Sequence, residues 1–167
     1  MKNLVFKEIQ KFHQFWIWAL LTIVIGLWAW GIYVQIILGQ PWGSKPASDS
    51  VLIALSIIPV IIFVLFFIMR LETEITNEGV YFQFFPFHLK KRFIDWHDVS
   101  KAYVREYKPV KEYGGWGLRK GLKSGVAYNV SGNIGLQIEL KDGGRILIGT
   151  SHPKDLENFI RQMNEAK

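Results

Sequence analysis

The short segment DWHD, residues 95–98, comes closest in this sequence to a catalytic arrangement. A carboxylate beside an imidazole can hold the ring in one tautomer and one orientation, which general acid–base catalysis requires. The segment also lies where a predicted strand ends and the chain turns. We therefore interpret Asp95 and His97 as polar caps of a surface turn without a catalytic role.

No other group of residues indicates an enzyme. The chain contains no cysteine, which removes thiol catalysis and thiolate metal sites. Its four histidines lack the spacing of metal ligands, and no serine lies in a G-x-S-x-G motif. We predict that the protein is not an enzyme and has no cofactor, metal or small-molecule substrate.

Positive charge is concentrated in residues 88–123, which contain ten Lys and Arg against four acids. The difference, +6, equals the formal net charge of the whole chain. Basic residues near a membrane attract anionic headgroups, whereas the aromatic residues here alternate like strand residues and form no stacking platform for nucleic acid. We predict no nucleic-acid partner. The candidate residues for binding lipid or a partner protein are Trp116, Arg119, Lys120, Lys123, Lys90, Lys91 and Arg92.

A glycine-rich loop, YGGWGLRKGLKSG (residues 113–125), lies at the end of this basic stretch and holds five glycines and one tryptophan. Glycine permits backbone conformations that other residues disfavour. On one interpretation Trp116 lies at the depth of the lipid headgroups, with Arg119 and Lys120 on their phosphates. On the other, Trp116 packs inward and closes one end of the folded domain. A nucleotide-phosphate loop is disfavoured because the spacing G-x-x-x-x-G-K-[ST] is missing.

The elements that must position these residues fall into two parts, and the first is helical. Residues 12–38 and 51–69 contain no Asp, Glu, Lys or Arg over 27 and 19 positions. A helix of about 20 apolar residues crosses the hydrocarbon core of a bilayer. We predict an N-terminal transmembrane hairpin over residues 1–70, with spans at about 12–38 and 51–69 and a turn rich in Gly, Pro and Ser between them.

The charge around the two spans predicts their orientation. The connecting turn has no net charge, whereas basic residues precede the first span and follow the second. By the positive-inside rule both termini are then cytoplasmic. Neither span has an ionisable residue near its centre, which argues against an ion path. Trp28 and Trp30 lie deep in the first span and are candidate intramembrane contacts with the second span or with a partner.

The second part, residues 71–167, changes to the alternating pattern of half-buried strands. We predict seven short strands, at residues 71–76, 80–85, 91–96, 101–107, 125–130, 133–140 and 145–150. The period then becomes helical, because apolar residues fall at i, i+3, i+4 and i+7. These residues, Leu156, Phe159, Ile160 and Met163, predict a C-terminal amphipathic helix.

Four features together resemble a known family: RFIDWHDVSKAYV (residues 92–104), YGGWGLR (113–119), NIGLQIELKDGGRILIGTSHP (133–153) and the final helix. The chain resembles bacterial membrane proteins in which a two-helix hairpin precedes a bacterial pleckstrin-homology (PH) domain. The resemblance implies an α+β membrane protein in which residues 71–167 form a cytoplasmic PH-like antiparallel β-barrel of about seven strands with a C-terminal helix. It also implies a multi-pass location in the bacterial inner (cytoplasmic) membrane.

Such domains serve as binding or assembly modules, so the resemblance implies no activity. Phosphoinositide-binding PH domains carry a basic cluster at their first hairpin, but here that hairpin carries Glu72, Glu74 and Glu78, which would repel an inositol phosphate. We expect a membrane-anchored non-catalytic interaction or scaffold module, an accessory subunit of a membrane assembly or a homo-oligomer. The alternative is a module that binds anionic lipid of the inner leaflet through the basic face and the Gly-Trp loop. The expected partners are the lipid bilayer and a protein or a second copy of the chain.

Overall fold

A computed structural model describes residues 5–121 and 124–165 of the chain. The chain divides into two compact units. The helical unit is His13–Ile68, and the sheet unit combines Met1–Phe12 with Met69–Lys167. The helical unit is therefore inserted into the sheet unit, whereas the predicted division at residue 70 would separate the two segments of the sheet unit.

The strands and helices follow in chain order. The strands are β1 (Phe6–Lys11), β2 (Arg70–Ile75), β3 (Gly79–Phe85), β4 (Arg92–Asp95), β5 (Val99–Glu106), β6 (Gly117–Gly121), β7 (Gly125–Asn129), β8 (Ile134–Leu140) and β9 (Arg145–Gly149). The helices are α1 (Phe15–Ile32), which continues as a π-helical turn (Tyr33–Ile37), α2 (Asp49–Ile68), α3 (Pro109–Tyr113) and α4 (Pro153–Glu165). A 3-10 turn covers Trp96–Asp98.

The helical unit consists of α1 with its π-helical turn, α2 and the segment that connects them. Both helices are long and apolar enough to cross a membrane, and they match the predicted spans to within three residues. They contact each other through aromatic side chains, with the ring centroids of Trp18 and Phe63 5.3 Å apart. The indole of Trp42, in the connecting segment, lies so close to Gly31 that a Cβ there would come within 2.6 Å of it.

The first sheet has four antiparallel strands in the order β1-β2-β3-β4. β1 precedes the helical unit and β2 follows it directly. Their register aligns Phe6 with Ile75 and Lys11 with Arg70. The chain therefore leaves the sheet at Lys11 and returns to it at Arg70, in the same row of the sheet.

The second sheet has five strands in the order β5-β8-β9-β7-β6. β7 runs parallel to β9 and aligns Val126 with Ile146, while the other pairs are antiparallel. The expectation of a wholly antiparallel domain is therefore wrong. β8 already pairs with β5 on one side and β9 on the other, so β7 occupies the remaining edge of β9.

The predicted closed barrel of about seven strands is also wrong, because the nine described strands form two separate sheets. All seven predicted strands are present to within two residues at each end, but β1 and β6 are additional. β1 was hidden because its inward positions include Glu8 and Gln10, while Ile9 faces outward. β6, GLRKG, combines two glycines with two cations and has little strand propensity.

The core of the sheet unit is formed by inward-facing side chains of both sheets and by α4. The fully buried residues of the sheets include Leu71, Ile75, Val80, Phe82, Phe84, Leu136, Ile138 and Ile148. The predicted stripe of α4 is confirmed, because Leu156, Phe159 and Ile160 are buried. The ring of Phe6 on β1 lies 6.1 Å from that of Phe159. Burying each such apolar side chain contributes about 1.5–3 kcal/mol.

Polar contacts also hold β1 in place. The buried carboxylate of Glu8 accepts hydrogen bonds from the Thr150 hydroxyl at 2.7 Å and from the backbone N–H and hydroxyl of Ser151 at 2.7 and 2.5 Å. The side-chain amide of Gln10 donates to the carbonyl oxygen of Gly149 at 2.7 Å. Hydrogen bonds to a charged group contribute about 1.5–3 kcal/mol each. β1 therefore connects the first sheet to the end of β9 and the start of α4.

Candidate functional site

An open groove lies on the outer face of the first sheet, beside the β2–β3 turn. It consists of two adjoining depressions of about 340 and 500 Å³ that share Asn77, Glu78 and Tyr81. Tyr81 faces outward because its neighbours Val80 and Phe82 are buried and side chains alternate along a strand. The other residues that matter for the groove are Glu74, Lys91, Phe93, Asp95 and Trp96.

Three aromatic side chains line the groove. Tyr81 and Phe93 are paired across β3 and β4, with ring centroids 4.4 Å apart. Phe93 is 45% exposed. The indole N–H of Trp96 donates to the carbonyl oxygen of Thr76 at 2.8 Å, which holds its ring beside the β2–β3 turn. Exposed aromatic rings with fixed positions are typical anchors of protein interfaces.

Three carboxylates and one lysine surround these rings. Lys91 Nζ lies 3.1 Å from a carboxylate oxygen of Glu74, and this ion pair has no net charge. The negative charge of the groove therefore comes from Glu78 and Asp95. Hydrogen bonds from the backbone N–H and then the ring of His97 lower the pKa of the Asp95 carboxyl, so Asp95 is ionised at neutral pH. A negative rim attracts a cationic partner and repels an anionic one.

The DWHD segment forms a surface turn beside the groove. Asp95 Oδ1 accepts a hydrogen bond from the backbone N–H of His97 at 2.8 Å and so caps the 3-10 turn. The His97 side chain is 95% exposed, so water surrounds the ring that Asp95 contacts. Within residues 5–121 and 124–165, no group of three or more His, Cys, Asp or Glu could hold a metal ion.

The predicted basic residues at the start of β4 and just before it lie in different environments. Lys91 belongs to the groove through its ion pair with Glu74. Arg92 extends toward the second sheet, where its guanidinium lies 3.4 Å from the hydroxyl of Tyr128 on β7. Lys90 is exposed at the end of the β3–β4 connection. The structure thus places these three neighbours in sequence on different parts of the sheet unit.

The other predicted cations lie on the edge strand of the second sheet. Arg119 and Lys120 are exposed on β6, and the Arg119 guanidinium donates to the carbonyl oxygen of Trp116 at 3.1 Å. β6 pairs with β7, which carries Tyr128, so these cations and Arg92 lie on neighbouring edges of the two sheets. Lys123 lies outside the residues that the structure describes.

The Gly-Trp loop is a tight connection from α3 to β6. Gly114, Gly115 and Gly117 all have positive φ, at 75°, 124° and 111°, which side chains disfavour. The indole N–H of Trp116 donates to the carbonyl oxygen of Gly132 at 2.9 Å, and the ring is half-buried. Trp116 therefore packs against the connection between β7 and β8, and the glycines serve the backbone geometry of the loop.

The two tryptophans predicted as intramembrane contacts differ in exposure. The ring of Trp28 lies 6.0 Å from that of Trp42, in the segment that connects α1 and α2. Trp30 is 59% exposed, and its ring lies 5.9 Å from that of Tyr33 in the π-helical turn. Trp30 therefore has the larger exposed surface of the two.

A separate depression, of about 320 Å³, lies on the second sheet and contains paired charges. The Arg105 guanidinium donates to both carboxylate oxygens of Glu112, at 2.7 and 3.3 Å. This pairing is the main cause that lowers the pKa of the Glu112 carboxyl. The Tyr103 hydroxyl donates to Glu139 at 3.1 Å. Because these charged side chains pair with each other, we interpret them as a structural network. The pairing of Arg105 with Glu112 fixes α3 on β5.

The groove was absent from the sequence candidates, although part of its signal is visible in the sequence. The alternation VYFQF in residues 80–84 places Tyr81 opposite to the core residues, and acids flank the preceding turn. The pairing of Tyr81 with Phe93 is a tertiary contact. The sequence pattern shows that Tyr81 and Phe93 are aromatic residues on strands. It does not show that their side chains form one surface.

Comparison with known families gives a match over residues 1–165 to a family of unknown function, DUF6141. No curated protein matches the chain. The matched residues cover the helical unit and both segments of the sheet unit, including β1 and the groove. Because the match extends over nearly the whole chain, this protein belongs to DUF6141, a family of unknown function.

Proposed function

We propose that this protein is a membrane-anchored, non-catalytic interaction module. In this proposal α1 and α2 span the membrane, and the groove of the sheet unit binds a cationic segment of a partner protein. The observation that carries the proposal is the pair of rings formed by half-buried Tyr81 and exposed Phe93, in a groove that also contains the carboxylates of Glu78 and Asp95.

The exposure of the two apolar helices supports insertion into a membrane. Their most apolar windows are only 6% and 11% buried, with mean hydropathies of 2.0 and 3.3. The core helix of a soluble protein is covered by the rest of the protein, whereas a helix in lipid needs no such cover. We propose the bacterial inner membrane as the location. We also propose that both termini are in the cytoplasm, because basic residues precede the first span and follow the second.

We also propose that the sheet unit is a variant of the PH-like fold. The seven predicted strands and the C-terminal helix support this relation. The strand before the helical unit, the edge strand β6 and the parallel pair β7–β9 are the features in which it departs from the expected domain. Binding of a partner on one sheet face agrees with the use of such domains as interaction modules.

The chemistry of the groove favours a partner segment that carries Lys or Arg. A cation is attracted to the face of a Tyr or Phe ring within about 6 Å of its centroid and pairs with a nearby carboxylate. The groove lies beside Ile75 at one end of β2, about 17 Å along the strand from Arg70 at the other end. The negative charge of Glu78 and Asp95 favours a cationic protein segment over an anionic lipid headgroup.

Photo-crosslinking in living cells tests the proposal. A benzophenone amino acid at position 93 of the full-length chain is expected to give one discrete adduct, and the same group at Val110, which is 65% exposed on α3, is expected to give none. Glu78→Lys places a repulsive charge on the rim and should reduce the adduct at position 93 at least about fivefold, as a charge contact of about 1 kcal/mol implies.

Glu157→Lys is the matched control, because Glu157 is exposed on α4 outside the groove. The adduct should persist in this variant. Equal adducts in both charge-reversal variants, or no adduct at position 93, would contradict a groove that binds a cationic partner. The purified partner should also bind the full-length protein in detergent with an affinity that falls as salt is added.

Self-association through the helical unit is the second interaction that we propose. Trp30 supports it because its ring is exposed near the end of α1. Native mass spectrometry of the full-length protein in mild detergent should show a defined multimer that Trp30→Ala weakens. If the native chain and Trp30→Ala are both monomers, the proposed contact between copies through Trp30 is wrong.

A further inference from the structure

The connection between β3 and β4, residues 86–91, exposes two large apolar side chains next to a cation. Phe87 is 54% exposed and Leu89 is 79% exposed. Lys90 follows directly and is also exposed. This combination of apolar and cationic side chains is typical of segments that lie in a membrane interface.

The exposure of these side chains results from a fixed backbone. His88, between them, is buried, with its ring 6.0 Å from that of Phe82 and 5.3 Å from that of Tyr128. Its backbone N–H donates to the carbonyl oxygen of Phe84 at 2.8 Å, and its own carbonyl oxygen accepts from the Gln83 side chain at 2.9 Å. Because His88 is held inside, the residues on both sides of it face outward.

The loop starts at the row of the sheet where the chain leaves for the helical unit. Phe85 is in register with Arg70, and Arg70 is in register with Lys11. α2 ends at Ile68, so two residue steps separate it from Arg70. Two extended residues span at most about 7 Å. Phe87 follows Phe85 by two further positions, so the loop continues from the row of the sheet that includes Arg70, where the chain returns from the helical unit.

We propose that residues 86–91 are a lipid-contact loop: Phe87 and Leu89 insert into the interface of an anionic bilayer, and Lys90 contacts the phosphates of its headgroups. The inference rests on the proposed membrane insertion of α1 and α2. The headgroup layer on each side of a bilayer is about 5–7 Å thick, which is comparable to the distance of at most about 7 Å that the chain can span from Ile68 to Arg70. The lipid-contacting residues Phe87, Leu89 and Lys90 follow the Phe85 end of β3, whereas the groove lies beside its Gly79 end and takes only Lys91 from this connection. Lipid and protein partner therefore use different residues.

Site-directed spin labelling of the full-length protein in lipid nanodiscs tests this inference. The chain has no cysteine, so single cysteines can be labelled without a background. Labels at Phe87→Cys and Leu89→Cys are compared with Phe93→Cys and Val110→Cys, two exposed positions of the sheet unit. Ile61→Cys, at an exposed position of α2, reports membrane insertion itself. The accessibility of each label is measured to oxygen, which dissolves in lipid, and to a nickel chelate, which dissolves in water. The ratio of the two accessibilities reports whether the label lies in lipid.

Labels at positions 61, 87 and 89 should be more accessible to oxygen than to the chelate. Labels at positions 93 and 110 should be more accessible to the chelate. If the label at position 61 is accessible mainly to oxygen while those at 87 and 89 are accessible mainly to the chelate, the proposed lipid contact of the loop is wrong and the membrane anchor is retained. A water signal at position 61 would overturn both. Leu89 serves as the independent position, because the ring of Phe87 stacks on that of Phe84 and its replacement changes a packed contact.

The lipid composition tests the role of Lys90. In nanodiscs of equal parts phosphatidylcholine and phosphatidylglycerol, Lys90→Ala should lower the ratio of inserted to free loop roughly fivefold, as expected for one cation near an anionic surface. In phosphatidylcholine alone it should change little. Lys101→Ala, at an exposed position of β5, is the control. Equal insertion of both variants in the anionic discs would exclude a headgroup contact by Lys90, and crosslinking of position 89 to a protein in place of lipid would overturn the proposal.

Discussion

Glu8 and Asn129 are polar residues buried in the sheet unit, and each satisfies hydrogen-bonding groups from distant parts of the chain. Asn129 accepts from the backbone N–H of Gly117 at 2.8 Å and donates to the hydroxyl of Tyr107 at 2.9 Å. Burial raises the pKa of Tyr107 to about 12, so its hydroxyl keeps the proton that makes it a neutral partner. Buried polar groups of this kind are stable only when they are paired.

Removing the carboxylate of Glu8 should destabilise the sheet unit. Glu8→Ala leaves the Thr150 hydroxyl and two donors of Ser151 without their acceptor, and the expected loss is about 2–4 kcal/mol. Thermal unfolding of the full-length protein in detergent measures it. Lys7→Ala, at the exposed neighbouring position, should stay within about 0.5 kcal/mol of the native chain. Equal stability of the two variants would show that Glu8 contributes nothing to the attachment of β1.

His88 should make the stability of the lipid-contact loop depend on pH. Burial, and then the nearby charge of Arg92, lowers the pKa of His88 below its usual 6.5. The folded state thus favours the neutral ring, so this stabilisation is present above about pH 6.5 and is lost as the pH falls below that value. The melting temperature should fall more between about pH 7.5 and about pH 5.5 in the native chain than in His88→Gln. Identical pH profiles would contradict this assignment.

The connections between strands and helices require unusual backbone conformations where the chain turns sharply. In the Gly-Trp loop, Gly117 has a φ of 111°, and a Cβ added there would meet no atom closer than 4.0 Å. A side chain at this position would therefore be disfavoured by its backbone conformation and not by a clash.

Gly117→Ala should cost about 1–3 kcal/mol, the range for a residue held in a sparsely populated backbone region. Gly26→Ala is the matched control, because Gly26 lies inside α1 with open space around it, and alanine is the better helix former there. Differential scanning fluorimetry of both variants in the same detergent compares them. A loss in Gly26→Ala as large as that in Gly117→Ala would contradict the backbone explanation.

The strand β1 should be required for folding of the sheet unit. A chain that joins Phe12 to Met69 through a short Gly-Ser linker keeps the pairing of Lys11 with Arg70 and lacks the helical unit. We expect it to be soluble and to unfold cooperatively. Residues 69–167 alone would expose the edge of β2 and leave Thr150 and Ser151 without Glu8. Proton–nitrogen NMR spectra decide the matter: an equally dispersed spectrum from residues 69–167 would show that β1 is dispensable.

At the scale of the whole molecule, the sheet unit has two chemically different ends. The row of Lys11, Arg70 and Phe85, where the chain leaves and returns, continues into the apolar and cationic loop of residues 86–91. The β2–β3 turn at the other end carries the acidic, aromatic groove. The proposed lipid contact and the proposed protein contact therefore lie at opposite ends of the sheet unit.

The proposed topology predicts that the segment between α1 and α2 and the helix α4 lie on opposite sides of the membrane. A membrane-impermeant maleimide should label Ser44→Cys in intact cells, because Ser44 lies in the connecting segment. Lys154→Cys, on α4, should be labelled only after the membrane is opened. Labelling of both positions in intact cells would contradict a cytoplasmic sheet unit.

The sequence by itself determined the elements whose signal is local. The two long apolar segments, the seven alternating strands and the stripe of α4 were all predictable because each element repeats its own period over neighbouring residues. The capping of the DWHD turn by Asp95 was predictable for the same reason, since Asp95 contacts a residue only two positions away.

Only the tertiary structure decided how these elements are joined. β1 was hidden because its inward Glu8 is satisfied by Thr150, 142 positions along the chain, and a polar residue paired at that distance leaves no mark on the local pattern. The parallel pairing of β7 with β9 depends on which strand edges remain free once β8 is paired. The groove and the lipid-contact loop depend likewise on strand register and on the burial of His88, because long-range packing determines which side chains remain exposed.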